Sequence, residues 1–261
     1  MNKKVVMLNK FQINHLYILV GVYVTSRIWI YNTHPFLFDK IEHYWQYLDM
    51  HILHYDLLRG LFYLHVQPPL FNVFLGLVLK VSPDGYIIFV GLYFIMGLII
   101  ACGTYMLMLS LRIHHVLALI VSIYLIMFPS IIHAERWLFY AYPLTMMLVL
   151  SALWLSKSIS SNNDKYFILF VGMITAIVLT RSFFHLIVWM IPVIIIPLVV
   201  IWKENRHWLK RGIIISIIGF LLASIPYLKN FIMFDFFTGS TWQGMNITKM
   251  TTYVGNDNIK N

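Results

Sequence analysis

A chain of 261 residues that is 60% apolar and 11% charged is not composed like a water-soluble domain, and repeated apolar runs near the roughly 20 residues needed to cross a bilayer make it a polytopic membrane protein. The runs are continuous, as in IIFVGLYFIMGLIIACGTYMLML at 87–109, without the alternation of a membrane β-barrel, so the expected class is all-α. A net charge of +9 does not point to nucleic acid, because the Lys and Arg fall in short loops between apolar runs, where they report membrane orientation.

The first run, about 12–31, follows MNKKVVMLNK. It is long and has no small-residue cleavage site after it, so it reads as a retained signal anchor and not a removed leader. A loop over 32–85 follows, and its stretch from Asp39 to Lys80 carries four of the ten acidic residues, Asp39, Glu42, Asp49 and Asp56. Within it, residues from about Asp49 to Leu64 place apolar side chains at helical spacing and predict an interfacial helix. The next stretch, PPLFNVFLGLVLKV at 68–81, is too short to span comfortably, and its two prolines suit a helix start, where a missing N–H costs little. Further spans are expected at 86–110, 115–133, 138–156, 166–180, 184–202 and 212–228. That makes about seven in all, followed by a polar tail over 229–261. Cys102, the single cysteine, lies within a span and has no partner for an intrachain disulfide.

Charge decides whether 68–81 crosses. If it does not, the cytoplasmic segments hold Lys3, Lys4, Lys10, Arg112, Lys157, Lys165, Lys203, Arg206, Lys210 and Arg211. Ten of the nineteen basic residues are then inside, with only Asp164 and Glu204 among the acids. If it crossed, every later loop would flip and the KENRHWLKR cluster would face outward, against the positive-inside rule. Two horizontal helices in the first outer loop are therefore expected to roof the extracytoplasmic face of the bundle, with the N-terminus in the cytoplasm.

Ionisable residues at membrane level are costly and mark candidate function. Asp49 is either the N-cap of the helix it precedes or a general base for an acceptor hydroxyl; Asp39, in FDKIEHY, competes for that role. Glu135, in PSIIHAERWLFYAYP, either bonds to its neighbour Arg136 or projects toward the first-loop acids, giving two carboxylates in one cleft. The cofactor stays open; were a divalent cation used, Asp49 and Glu135 would hold it. Arg181, with His185 one turn on, either snorkels to the interface or presents its planar fork to a phosphate or diphosphate. Most of the aromatic residues Trp45, Tyr47, Tyr63, Trp137, Tyr140, Tyr142 and Trp242 are what an interfacial belt requires.

The order of a first span, an acidic outer loop, His65-Val66-Gln67-Pro68-Pro69-Leu70-Phe71-Asn72, an apolar helix, a basic turn and a span ending in Glu135 resembles the GT-C membrane glycosyltransferases. The likeness is to the family-39-like group that includes protein O-mannosyltransferases and the lipid A aminoarabinose transferase. The resemblance implies an inverting transferase that uses a polyprenyl-phosphate-linked sugar and acts at the extracytoplasmic face of a bacterial inner membrane on a lipid, glycan or protein acceptor. It assigns the base to Asp49 or Asp39 and an assisting role to Glu135, and puts Arg181, His185, His65, Gln67 and Arg136 at the substrate. The usual Asp-Glu pair is absent, since Lys40 follows Asp39 and Met50 follows Asp49. The likeness covers 1–228 as a GT-C-like module; on that reading 229–261 is an extracytoplasmic tail, and the chain is a truncated product, one part of a split protein or a short member. A non-catalytic protein that binds lipid-linked sugar is the alternative. A lipid or solute transporter is a third class, for which two related halves with broken helices are expected and not found.

Overall fold

A computed structural model describes residues 9–38, 44, 46–82, 84–161, 163–204, 206–242, 244 and 248. Among them all regular structure is helical, with one isolated bridge between Leu37 and Trp137. Four helices are long and apolar enough to cross a bilayer, or five if a bent pair counts as one span. This is compatible with a multi-pass membrane protein and coarser than the seven spans expected.

Helix α1 (Lys10–Thr33) opens with a capping box, in which Asn9 accepts from the Gln12 amide while the Gln12 side chain accepts from that of Asn9. After it come two short helices, α2 (Met50–Tyr55) and α3 (Leu57–Tyr63), where one interfacial helix is expected. The break falls at Asp56, whose φ of −133° and ψ of 40° leave the helical region. Helix α4 (Leu70–Val81) fills most of the Pro-Pro-led stretch. At about 1.5 Å per residue its 12 residues reach only about 18 Å, well under the hydrocarbon thickness of about 30 Å.

The long helix α5 (Tyr86–Ser110) starts after Gly85, which takes a left-handed φ of 63°. The expected 115–133 span is instead α6 (His115–Met127) and α7 (Pro129–Glu135), bent by 58°. Pro129 has no N–H to continue the helical ladder, and Phe128 before it is extended, as pre-proline residues tend to be. Helices α8 (Ala141–Ser161) and α9 (Asp164–Thr180) follow. At 17 residues, or about 25 Å, α9 is short for a span. A π-helical turn (Leu186–Met190) leads into α10 (Ile191–Glu204), and α11 (Arg206–Phe234) closes the bundle. The boundary expected at 228 falls inside α11, which runs on to Asp235, a non-glycine residue in the left-handed region (φ 59°).

Contacts show that the long helices alternate in direction. At one end, here the His15 end, His15 of α1 meets Tyr105 of α5 and His115 of α6. Ser110 of α5 bonds Ser156 of α8 at 2.8 Å, and Asp164 of α9 pairs with Arg211 of α11 at 2.7 Å. At the opposite end, here the Tyr140 end, Phe36 after α1 packs on Tyr86 of α5, Arg181 after α9 lies over Tyr140 before α8, and Lys229 of α11 donates to the Leu64 carbonyl. Both ends of α4 touch this end, Phe71 at Tyr140 and Leu79 at Gly85. Helix α4 thus lies across the bundle, as a juxtamembrane helix would.

Without hydrophobic drive between helices inside a bilayer, association depends on close packing and polar pairing, and small residues allow the closest approach. Gly219 of α11 is such a point: a Cβ there would fall 2.4 Å from the Val171 Cγ1 of α9.

Candidate functional site

Two polar constellations stand out among the described residues. One is sealed inside the bundle and the other lies on the Tyr140 end.

The sealed one is centred on Glu135. Arg27, nearly five turns into α1, is 1% exposed, as is Glu135. A charge in that position demands a partner. Arg27 donates from Nε (2.9 Å) and Nη2 (2.7 Å) to Glu135 Oε2, which also accepts from the Tyr142 hydroxyl (2.9 Å). Glu135 Oε1 accepts from the Tyr23 hydroxyl (2.8 Å) and the Tyr31 hydroxyl (3.2 Å). A carboxylate offers about four lone-pair positions, so these contacts use its whole accepting capacity. Arg27 Nη2 also donates to the Ile126 carbonyl (2.7 Å), one of those left without an intrahelical partner where α6 ends. A single guanidinium therefore closes the helix break and holds the acid that follows it.

That arrangement corrects the expected placement of Glu135. It does not bond Arg136, and it does not open onto a cleft with the first-loop acids. Arg136 turns away and donates from Nε to the His34 carbonyl (3.0 Å) and from Nη2 to the Pro35 carbonyl (2.7 Å). It ties the segment after α1 to the α7–α8 connection, next to the Leu37–Trp137 bridge. Arg27, which carries the cluster, was not among the candidates; the signal was present in VTSRIWIY, a cation within an apolar run.

On the Tyr140 end, Asp49 is exposed and caps α2, its Oδ1 accepting from the His51 amide at 2.8 Å. Its other carboxylate oxygen makes no described hydrogen bond. Asp39 and Glu42 lie outside the described residues. Arg181 is exposed, with its guanidinium carbon 5.2 Å from the centre of the Tyr140 ring and 5.9 Å from that of Phe183. Among the described residues no carboxylate pairs with it. An aromatic chain joins the two regions: Tyr140 packs on Phe71 (6.0 Å between centroids) and Phe71 on Tyr47 (5.5 Å), two residues before Asp49. The Tyr47 hydroxyl donates to the Leu138 carbonyl (3.0 Å), and burial pushes its pKa far above the phenolic range, so it is a fixed neutral donor.

His185 caps the π-helical turn, its Nδ1 accepting from the amides of Ile187 (3.2 Å) and Val188 (3.5 Å). His65 packs against the stacked rings of Phe234 and Phe236, with Nδ1 3.3 Å from the Thr241 hydroxyl, and Gln67 near it is half-buried. His65 also borders a cavity of about 430 Å³ formed by α2, α3 and the turn that follows, with Leu48, Ile52, Asp56, Arg59 and Tyr63 around it. Arg181, Asp49, Gln67 and His65 thus share one end of the molecule, while Glu135 is withdrawn from it. Among the described residues no group of three or more His, Cys, Asp or Glu is placed to hold a metal ion. Comparison with family models, curated proteins and solved structures finds no match to this chain.

Proposed function

We propose that this protein is a membrane glycosyltransferase module of the GT-C kind, transferring a sugar from a polyprenyl-phosphate carrier to an acceptor at its Tyr140 end. The observation that carries the reading is Arg181: an exposed guanidinium stacked on Tyr140, with no carboxylate partner among the described residues, at the end roofed by α2–α4. A planar cation at that level suits a lipid-borne phosphate. The charge distribution supports an extracytoplasmic Tyr140 end and a seven-pass bundle. Among the residues whose side chains are described, the His15 end carries Lys10, Arg112, Lys157, Lys165, Lys210 and Arg211 against only Asp164.

In this reading Arg181 holds the donor phosphate, with Gln67 and His65 near the substrate. A first-loop carboxylate, Asp49 or Asp39, takes the proton of an acceptor hydroxyl. The acceptor oxygen bonds to the anomeric carbon as the bond to the phosphate oxygen breaks, which inverts the centre and releases polyprenyl phosphate. Glu135 takes no proton; it fixes the α7–α8 connection that presents Tyr140 to Arg181.

The test is transfer from a polyprenyl-phosphate sugar in proteoliposomes. Arg181→Ala is expected to raise the donor KM about tenfold or more, the value of one charge-assisted contact. Asp49→Asn or Asp39→Asn is expected to abolish turnover while leaving donor binding intact. Full activity in both Asp variants would remove the base assignment. Asp49→Ala is expected to cost a further 1 kcal/mol or so of stability from the lost cap, measurable by thermal unfolding, whereas Asn keeps the cap.

A second reading is favoured by one observation: the two described acids proposed for chemistry are both engaged, Glu135 by its ion pair and Asp49 by the α2 cap. A protein that binds lipid-linked sugar without turning it over would retain donor in both Asp variants and form no product in the parent.

A further inference from the structure

The cavity formed by α2, α3 and the turn after them meets the proposed substrate region only at His65, and the rest of its lining has a chemistry of its own. Its floor is apolar, from Leu48 and Ile52, and its rim carries one charge of each sign. Arg59 Nη1 and Asp56 Oδ2 are 3.8 Å apart, beyond hydrogen-bond length, with the side chains 75% and 54% exposed. Asp56 stands at the N-cap position of α3 but makes no capping hydrogen bond, so its carboxylate is not consumed by the helix. Next to the rim, Tyr55, Leu58, Phe62 and Tyr63 are all more than half exposed, Leu58 at 80%. Such a row of bare apolar side chains on short helices lying across a membrane bundle belongs in the headgroup and upper acyl region. The cavity therefore opens where lipid headgroups are.

The geometry points to a binding site for the headgroup of a zwitterionic aminophospholipid, with its phosphate on Arg59, its ammonium on Asp56 and its glycerol and upper acyl carbons over Leu48 and Ile52. A primary ammonium has three N–H donors for Asp56; a quaternary choline has none, and a glycerol headgroup offers no positive charge. The preferred order is thus phosphatidylethanolamine over phosphatidylcholine and phosphatidylglycerol.

Bound lipid, and not turnover, is the readout, so the result is separate from the transfer assay. The detergent-purified protein is equilibrated with vesicles of each of the three lipids, re-extracted, and its retained lipid measured by mass spectrometry. Retention of phosphatidylethanolamine at least about threefold above the other two is expected, the scale of an exposed ionic contact. Arg59→Gln should lower it to background and Asp56→Asn to the phosphatidylcholine level. Both side chains are exposed, so neither change threatens folding. Equal retention of the three lipids, or of phosphatidylethanolamine by the parent and Arg59→Gln, overturns the site. Preference for phosphatidylglycerol, or an inert Asp56→Asn, overturns the zwitterion assignment.

Discussion

Arg27→Met is expected to destabilise the protein by about 3–5 kcal/mol, because it leaves the Glu135 carboxylate buried without its counter-charge. Glu135 keeps the hydroxyls of Tyr23, Tyr31 and Tyr142, but three neutral donors do not replace a cation at a site with 1% exposure. The Ile126 carbonyl also loses its donor at the α6–α7 break. Glu135→Gln should fall short of that loss, since an amide keeps the shape and leaves Arg27 its carbonyl contact. The double variant Arg27→Met with Glu135→Gln removes both charges and is expected to recover part of the stability, with a coupling free energy of about 1–3 kcal/mol between the two sites. Thermal unfolding in detergent, followed by tryptophan fluorescence, reads all three. Additive losses would show that the pair is not the unit that holds α1 to the bent helix.

Gly97→Ala is the second large effect. Gly97 lies on α5 where Tyr23 of α1 and Tyr142 of α8 converge, and a Cβ there would stand 2.0 Å from the Tyr23 hydroxyl and 2.5 Å from that of Tyr142. Both oxygens are ligands of Glu135, so relief of the clash pulls two hydrogen bonds off a buried carboxylate. Overpacking of this kind costs about 1–3 kcal/mol and a bond to a charged group about 1.5–3; a net loss of about 3 kcal/mol or more is expected. Gly91, also on α5, has nothing within 4 Å of the corresponding point, so Gly91→Ala is the matched control and should be neutral or slightly stabilising. Adding Tyr23→Phe to Gly97→Ala removes the nearest clashing atom and should restore part of the loss. A Gly97→Ala protein as stable as the Gly91→Ala control would mean that the three helices do not meet this closely.

These two effects come from a site that hydropathy could not assemble. The residues are 23, 27, 31, 97, 135 and 142, on four helices, and a hydrophobicity plot records each only as a local interruption. Arg27 was open to detection, since a cation inside a span calls for a partner. Its partner was not, because the choice between Arg136, the neighbour in sequence, and Arg27, 108 residues away, is made by the 58° bend at Phe128–Pro129. Proline announces a break but not the direction in which the chain leaves it.

The amino-acid sequence by itself determined the all-helical class with several helices apolar enough to cross a bilayer, the places where most helices start, and that residues 70–81 form a helix too short to cross, since 12 residues reach well under the hydrocarbon thickness. Asp49 as a helix cap was also legible, because capping needs only a side chain and amides two residues away. Only the tertiary structure decided that Glu135 is enclosed while Arg181 stays bare, that one interfacial helix breaks at Asp56, and that the break shapes a cavity with two charges on its rim. Those outcomes depend on which surfaces helix packing covers, and burial of a charge is a property of all its neighbours at once.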